Sequence, residues 1–122
     1  METKKTQPNQ DLGKRTRAYA IGIIRLYSSL PKVVEVQIIA KQLLRAGTSV
    51  GAQYAEAKRA KSNRDFINEL EGALQELEET LYWLDLLNET GAFKAGIIHP
   101  LQKETNELIA IFVTVVKKVK SK

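Results

Sequence analysis

Hydrophobic residues recur at three- and four-residue spacing in four successive segments of the chain, with polar residues at the positions between them. This spacing places the hydrophobic side chains on one face of a helix, and no segment alternates as a strand would. The pattern predicts helices over about residues 11–29, 33–59 and 63–90, and a fourth that begins between residues 94 and 100 and ends near 119. Short connections between four helices favour an all-α, antiparallel, up-down-up-down four-helix bundle.

Proline, serine and glycine residues mark the ends of these helices. Pro31 ends the first helix, because the residue before a proline disfavours helical geometry. Ser62, followed three residues later by Asp65, resembles a capping box, and Gly91 is typical of the residue just after a helix. Since proline is tolerated in a first turn, Pro100 favours a start of the fourth helix near residue 99.

The second helix has Gly47, Gly51 and Ala55 on one side, at four-residue spacing. Glycine inside a helix costs about 1 kcal/mol relative to alanine, so two glycines need a structural reason. The close approach of a neighbouring helix is one reason, and a kink near Gly51 is the other.

The third helix combines a wide hydrophobic face with a negative charge. One arginine and eight carboxylates give it a net charge of −7, and most of these side chains are expected in solvent or in ion pairs. Glu76 is expected near an interface, and Arg45 is a candidate partner because a buried carboxylate needs one. The hydrophobic face is wide enough for two neighbouring helices and a further subunit.

Length and composition indicate one globular domain of 122 residues, with a flexible polar tail over residues 1–11 and the bundle over residues 12–122. The absence of cysteine excludes disulfides and thiolate chemistry and favours a reducing, cytoplasmic location. No signal peptide is recognised. The longest apolar stretch has nine residues, 108–116, against about 20 that cross a bilayer, so no membrane partner is expected.

The chain has a net charge of +5 and a pI of about 9.5, which favours acidic partners, nucleic acid first. In the predicted topology, the starts of the first and third helices lie beside the ends of the second and fourth, and three basic clusters fall there. The residues predicted to bind nucleic acid are Lys14, Arg15, Arg17, Lys58, Arg59, Lys61, Arg64, Lys117, Lys118 and Lys120, with Lys122 at the same end. Together these residues are named the basic pole.

A structural explanation of the basic pole competes with the functional one. Lysines in the last turn of a helix interact favourably with the helix dipole, by about 0.3–1 kcal/mol each. That effect does not explain Arg15, Arg17 and Arg64, which lie near predicted helix starts. The alternatives are a surface that binds a polyanion and a surface that is merely solvated.

No arrangement of residues predicts catalysis, a metal site or a cofactor. A di-iron site in a helical bundle needs Glu-x-x-His on two helices, and His99 is the single histidine. Residues 47–51 lack the lysine and the spacing of a phosphate-binding loop. Tyr82 and Trp83 are able to stack on bases, but aromatic residues in a leucine-rich stripe are more typical of a core or an interface.

Four segments carry a recognisable sequence: RAGTSVGAQYAEA at 45–57, DFI at 65–67, GALQE at 72–76 and ETLYWL at 79–84. They resemble the bacterial four-helix bundle family, also called the 23S rRNA intervening-sequence protein family, and the likeness extends over about residues 15–120. Gln53 and Ala57 stand where many members have Asn and Gly.

The resemblance implies an up-down bundle, a ring-shaped homopentamer and no established catalytic residue. Some members are encoded inside insertions in large-subunit rRNA genes. Relatives act as accessory proteins of diversity-generating retroelements and bind reverse transcriptase and nucleic acid. In a pentamer, five copies of a +5 chain would carry +25.

Two functions remain open at this point. The first is a non-catalytic homo-oligomer that binds RNA or DNA, with RNA favoured, through the basic pole, as an accessory factor to a reverse transcriptase or a ribosomal RNA element. Such binding recognises phosphate and weakens as salt rises. The alternative is a protein-interaction scaffold without nucleic-acid binding, suggested by the wide hydrophobic faces of the third and fourth helices.

Overall fold

The structure is a computed structural model that describes residues 8–91 and 95–122. It contains four helices, α1 (Pro8–Ser29), α2 (Val34–Lys58), α3 (Asn63–Thr90) and α4 (Ala95–Lys120), and the described residues include no strand. Each helix packs against its neighbour in sequence, and α1 packs against α4 to close the bundle. This arrangement confirms the predicted all-α four-helix bundle.

Contacts between side chains show that neighbouring helices are antiparallel. Arg45 of α2 contacts Glu79 of α3, and further along α2, Gln53 contacts Glu69. Residue numbers therefore rise along α2 while they fall along α3, and the contacts between the other three helix pairs follow the same order. The up-down-up-down topology brings the starts of α1 and α3 to the same end of the bundle as the ends of α2 and α4.

Both ends of α3 coincide with the prediction. Ser62 has an extended backbone, and its hydroxyl oxygen accepts a hydrogen bond of 3.1 Å from the backbone N–H of Asp65. Gly91 has a left-handed φ of 69°, which glycine adopts without strain. These two residues satisfy backbone groups that the helix itself leaves unpaired. The ends of α2 lie within one residue of those predicted.

The first helix begins at Pro8, three residues before the predicted start at Asp11. Proline fits the first position of a helix, because the N–H that it lacks has no partner there. Residues 8–11 of the predicted tail are therefore helical, and residues 1–7 lie outside the described residues.

The fourth helix begins at Ala95, inside the predicted range but four residues before the favoured start at His99. Pro100 lies in the second turn, where it removes one backbone hydrogen bond. Ile98 is fully buried in the core, and its burial offsets that loss.

One hydrophobic stripe from each helix forms the central core. Its fully buried side chains include Ile23, Leu43, Leu77, Leu84 and Phe112. By contrast, part of the wide hydrophobic face predicted on α3 is only half-buried in the single chain, namely the stripe of Ile67, Leu74 and Leu81. The bundle therefore retains hydrophobic surface along one flank of α3.

The glycines of α2 lie where α1 approaches closely. A Cβ atom added at Gly47 would lie 2.8 Å from Cγ1 of Ile23, and one added at Gly51 would lie 3.3 Å from Oγ1 of Thr16. Ile23 and Thr16 are themselves buried, so neither can move away freely. Of the two reasons considered for these glycines, close helix packing has direct support.

Gly47→Ala is expected to lower the free energy of unfolding by about 1–2 kcal/mol, because overpacking against Ile23 outweighs the gain in helix propensity. The matched control is Gly96→Ala in α4, where no atom of the described residues, apart from the adjoining backbone, lies within 4 Å of the added Cβ. The control is expected to be stabilised by less than about 1 kcal/mol. Urea denaturation measures both variants, and similar stabilisation of the two would contradict the close packing of α1 on α2.

A buried polar contact joins α1 to α4 inside the core. The hydroxyl oxygens of Tyr19 and Thr105 lie 2.6 Å apart. Because the Thr105 hydroxyl donates to the carbonyl of Leu101, at 2.6 Å, the Tyr19 hydroxyl is the donor to Thr105. Burial raises the pKa of Tyr19 from 10 to about 12.

This pKa shift makes the fold sensitive to alkaline pH. In the unfolded chain Tyr19 loses its proton near pH 10, so the stability that it contributes is complete below pH 10 and is lost as the pH rises through 12. At pH 11.5 the loss is about 2 kcal/mol. Tyr19→Phe removes this titration. The free energy of unfolding of the wild type minus that of the variant, measured by urea denaturation, should therefore fall by about 2 kcal/mol between pH 8 and pH 11.5. A constant difference would contradict the assignment.

Candidate nucleic-acid interface

Two clefts lie at the end of the bundle where the basic clusters meet. The side cleft, between α1 and α2, has a volume of about 390 Å³, and its charged lining residues are Arg17 and Lys58. The end cleft lies between the end of α2, the start of α3 and the end of α4. It has a volume of about 330 Å³, and its charged lining residues are Lys58, Lys61 and Lys122. Lys58 therefore borders both clefts.

The predicted residues divide into two groups by their ion pairs. Arg15, Arg59 and Lys120 pair with carboxylates of the same chain. The others are exposed and form no ion pair with any side chain in the described parts of the chain: Lys14, Arg17, Lys58, Lys61, Arg64, Lys117 and Lys118. The positive charge of this second group is free to face a ligand.

Arg15 is tied to α4. Its guanidinium donates hydrogen bonds to both carboxylate oxygens of Glu104, at 2.5 and 3.0 Å, and to Glu107 at 3.1 Å. The hydrogen bond to Glu104 raises the pKa of Arg15 above its usual value. Two carboxylates of α4 thus balance this charge at the partly exposed surface between α1 and α4, and Arg15 links the two helices.

A third cleft, on the α2–α3 flank, has mixed charge. Arg59 and Lys61 line it together with Glu56, Asp65 and Glu69. The side chains of Arg59 and Glu56 lie 3.7 Å apart and are exposed, so their ion pair contributes little stability. Because carboxylates offset the positive charge on this flank, the side and end clefts are the more electropositive part of the basic pole.

Two buried aromatic rings, those of Tyr54 and Phe112, lie beneath the side chain of Lys58. Its Nζ lies 5.9 Å from the centre of the Tyr54 ring, a cation–π distance, and Tyr54 lies four residues before it on α2. Burial raises the pKa of Tyr54, and its ring packs against that of Phe112 with 5.9 Å between centres. Tyr54 was missed among the predicted site residues, although its four-residue spacing from Lys58 was a signal available in the sequence.

The predicted contact between Arg45 and Glu76 is present, with 3.6 Å between Nη1 and Oε1. A shorter bond of 2.6 Å joins Arg45 to Glu79, and the indole N–H of Trp83 also donates to Glu79, at 3.0 Å. These hydrogen bonds, with that of Trp83 the larger, lower the pKa of Glu79. Trp83 is half-buried and bound to Glu79 within α3, while Tyr82, whose ring meets that of Trp83 edge-on, is exposed.

Within the described residues, no helix has the length and hydrophobicity needed to span a membrane. The same residues contain no group of three or more His, Asp or Glu side chains placed to hold a metal ion. His99 is exposed near the start of α4.

The fold and the charge distribution define the class of protein, an antiparallel four-helix bundle with a basic end. Its sequence matches the family described as 23S rRNA-intervening sequence protein over residues 9–114, and the chain belongs to that family. The resemblance recognised in α2 and α3 is thereby confirmed.

A solved structure supports the same conclusion. The chain is similar to a crystal structure of a protein with unknown function from the S23 ribosomal protein family, from Bacteroides thetaiotaomicron VPI-5482. The two are 32% identical with a TM-score of 0.85, over 91% of this chain and 99% of the other. A comparison with curated proteins finds no match.

Proposed function

We propose that this chain is a non-catalytic homo-oligomer that binds nucleic acid, with RNA favoured, through the basic pole. The observation that carries the proposal is that two clefts sharing Lys58 are bordered by exposed basic residues, Arg17, Lys58, Lys61 and Lys122, for which the described residues provide no ion-pair partner. Membership of a family described by its relation to 23S rRNA supports RNA as the ligand.

The chemistry of this surface suits the nucleic-acid backbone. Lysine and arginine side chains neutralise phosphates and release condensed counterions, so affinity falls steeply as salt rises. Contacts to phosphate position a protein without reading base sequence. We therefore expect tight binding at low salt with little sequence preference.

Fluorescence anisotropy tests this proposal directly, with labelled structured RNA, single-stranded DNA and duplex DNA at low and at physiological salt. The expected result is tight binding at low salt, tightest for RNA, that weakens by about three orders of magnitude or more between 50 and 200 mM salt if six or more phosphates are contacted. Absence of binding to all three nucleic acids at low salt would contradict the proposal.

We also propose that the chain assembles into a ring-shaped homopentamer. The half-buried stripe of α3 and the exposed side chains of Val34, Ile38 and Tyr82, at 73%, 61% and 57%, offer hydrophobic surface to a neighbouring copy. Light scattering coupled to gel filtration should give five times the 13.7 kDa mass of one chain, and a monomeric mass would contradict the assembly.

Within a cell, we propose that the oligomer acts in the cytoplasm as an accessory factor to a reverse transcriptase or a ribosomal RNA element. Family membership supports the second of these partners. Five basic poles on one particle would raise the apparent affinity for a long polyanion, because each further contact becomes intramolecular after the first.

The same exposed hydrophobic residues favour a second candidate, a protein-interaction scaffold without nucleic-acid binding. Val34 and Ile38 lie one turn apart on α2 and are the most exposed large hydrophobic residues among those described. A stable, stoichiometric complex with a protein partner, together with no measurable affinity for nucleic acid at low salt, would favour the scaffold.

A further inference from the structure

The side and end clefts differ from the cleft on the α2–α3 flank in the charge of the residues that line them. All the charged side chains that border the side and end clefts are basic: Arg17, Lys58, Lys61 and Lys122. The cleft on the α2–α3 flank places three carboxylates beside its two basic residues. Of these three clefts, the side and end clefts offer a phosphate basic side chains with no carboxylate among their lining residues.

The dimensions of the clefts limit what enters them. Volumes of about 390 and 330 Å³ are at the lower end of the range for pockets that hold small ligands, so each suits one nucleotide. The side cleft is lined by small residues such as Gly13, Gly51 and Ala55, and the end cleft contains the ring of Phe66. These apolar surfaces are available to a sugar or an unstacked base.

Lys58 lies where the two clefts meet. It is the one residue that lines both clefts, and its ammonium group is held near the ring of the buried Tyr54. A basic residue in this place is able to contact the phosphate that joins a nucleotide in one cleft to the next nucleotide in the other.

Building on the proposed function, we infer that the ligand is single-stranded, with adjacent nucleotides in the side and end clefts and Lys58 on the phosphate between them. A single strand can turn its bases and sugars into separate clefts. A duplex keeps its bases paired and stacked, so it cannot place an unstacked base in either cleft.

Binding of a single-stranded oligonucleotide and of the duplex of equal length, followed by fluorescence anisotropy at low salt, tests this inference. Single-stranded RNA should bind at least about 10-fold more tightly than the duplex. Lys58→Gln should weaken single-strand binding by about 10-fold or more, and Arg17→Gln and Lys122→Gln, each of which alters one cleft, by about 3- to 5-fold. Circular dichroism should show unchanged helicity in all of these variants.

Lys41→Gln is the matched control, since it removes the same unit of charge from an exposed position on α2 that lies outside the basic pole. Its affinity should stay within about twofold of wild type. Equal affinity for single strand and duplex, or equal losses for Lys41→Gln and Lys58→Gln, would overturn the inference and leave nucleic-acid binding intact. Absence of all binding by the wild type would overturn the proposed function as well.

Discussion

Reversing the charge of Lys58, Arg59, Lys61 and Arg64 to Glu is expected to reduce the affinity for RNA by roughly 100-fold or more, since it removes phosphate contacts and adds repulsion. All four side chains are exposed, and the residues lie at or beyond the last residue of α2 and at the start of α3. Glutamate is favourable to the helix dipole near the start of α3 and unfavourable at the end of α2, so the two effects offset each other and helicity should be unchanged.

A control with the same total charge separates local contacts from long-range attraction. Reversal of Arg25, Lys32, Lys41 and Lys103 also lowers the net charge from +5 to −3, at exposed positions away from the basic pole. This control should lose much less affinity, because it keeps every residue of both clefts. Similar losses in the two quadruple variants would mean that binding depends on net charge and not on the basic pole.

Phe112→Ala is expected to lower the free energy of unfolding by about 3–5 kcal/mol, the usual cost of removing a buried aromatic ring. Phe112 is fully buried on α4 and packs against the Tyr54 ring beneath Lys58. A loss of this size is a large fraction of the 5–15 kcal/mol typical of a whole domain. Urea denaturation at a fixed protein concentration measures it, since assembly would make the apparent stability depend on concentration.

The adjacent residue provides the control for this variant. Val113 is 37% exposed, so Val113→Ala leaves no sealed cavity and should cost less than about 1 kcal/mol. Similar losses for Phe112→Ala and Val113→Ala would show that α4 is rotated relative to its described position.

The ends of the helices were predictable wherever a local signal decided them. Ser62 and Gly91 fix the ends of α3 through their own backbone conformations and hydrogen bonds. The starts of α1 and α4 depend on more than local preference. The sequence prediction assigns residues 8–11 to a tail and places Pro100 in a first turn. A proline early in a helix costs little, and the burial of Ile98 stabilises the turn around Pro100.

The site was predictable as a set of charges but not as a geometry. Only the packing of α1 on α4 reveals that Arg15 is neutralised by Glu104. The early start of α1 also places Arg17 about two turns inside the helix, where the dipole no longer matters. Of the three arginines predicted near helix starts, Arg15, Arg17 and Arg64, only Arg64 lies in a first turn, where the helix dipole disfavours a positive charge.

Lysine acetylation in the presence and absence of a single-stranded RNA, with the modified sites located by mass spectrometry, tests most directly whether the basic pole binds nucleic acid. RNA should protect Lys58, Lys61 and Lys122 and leave Lys32 and Lys41 as reactive as before, since all five are exposed in the free chain. Equal protection of both sets, or protection of neither while RNA is bound, would contradict the account.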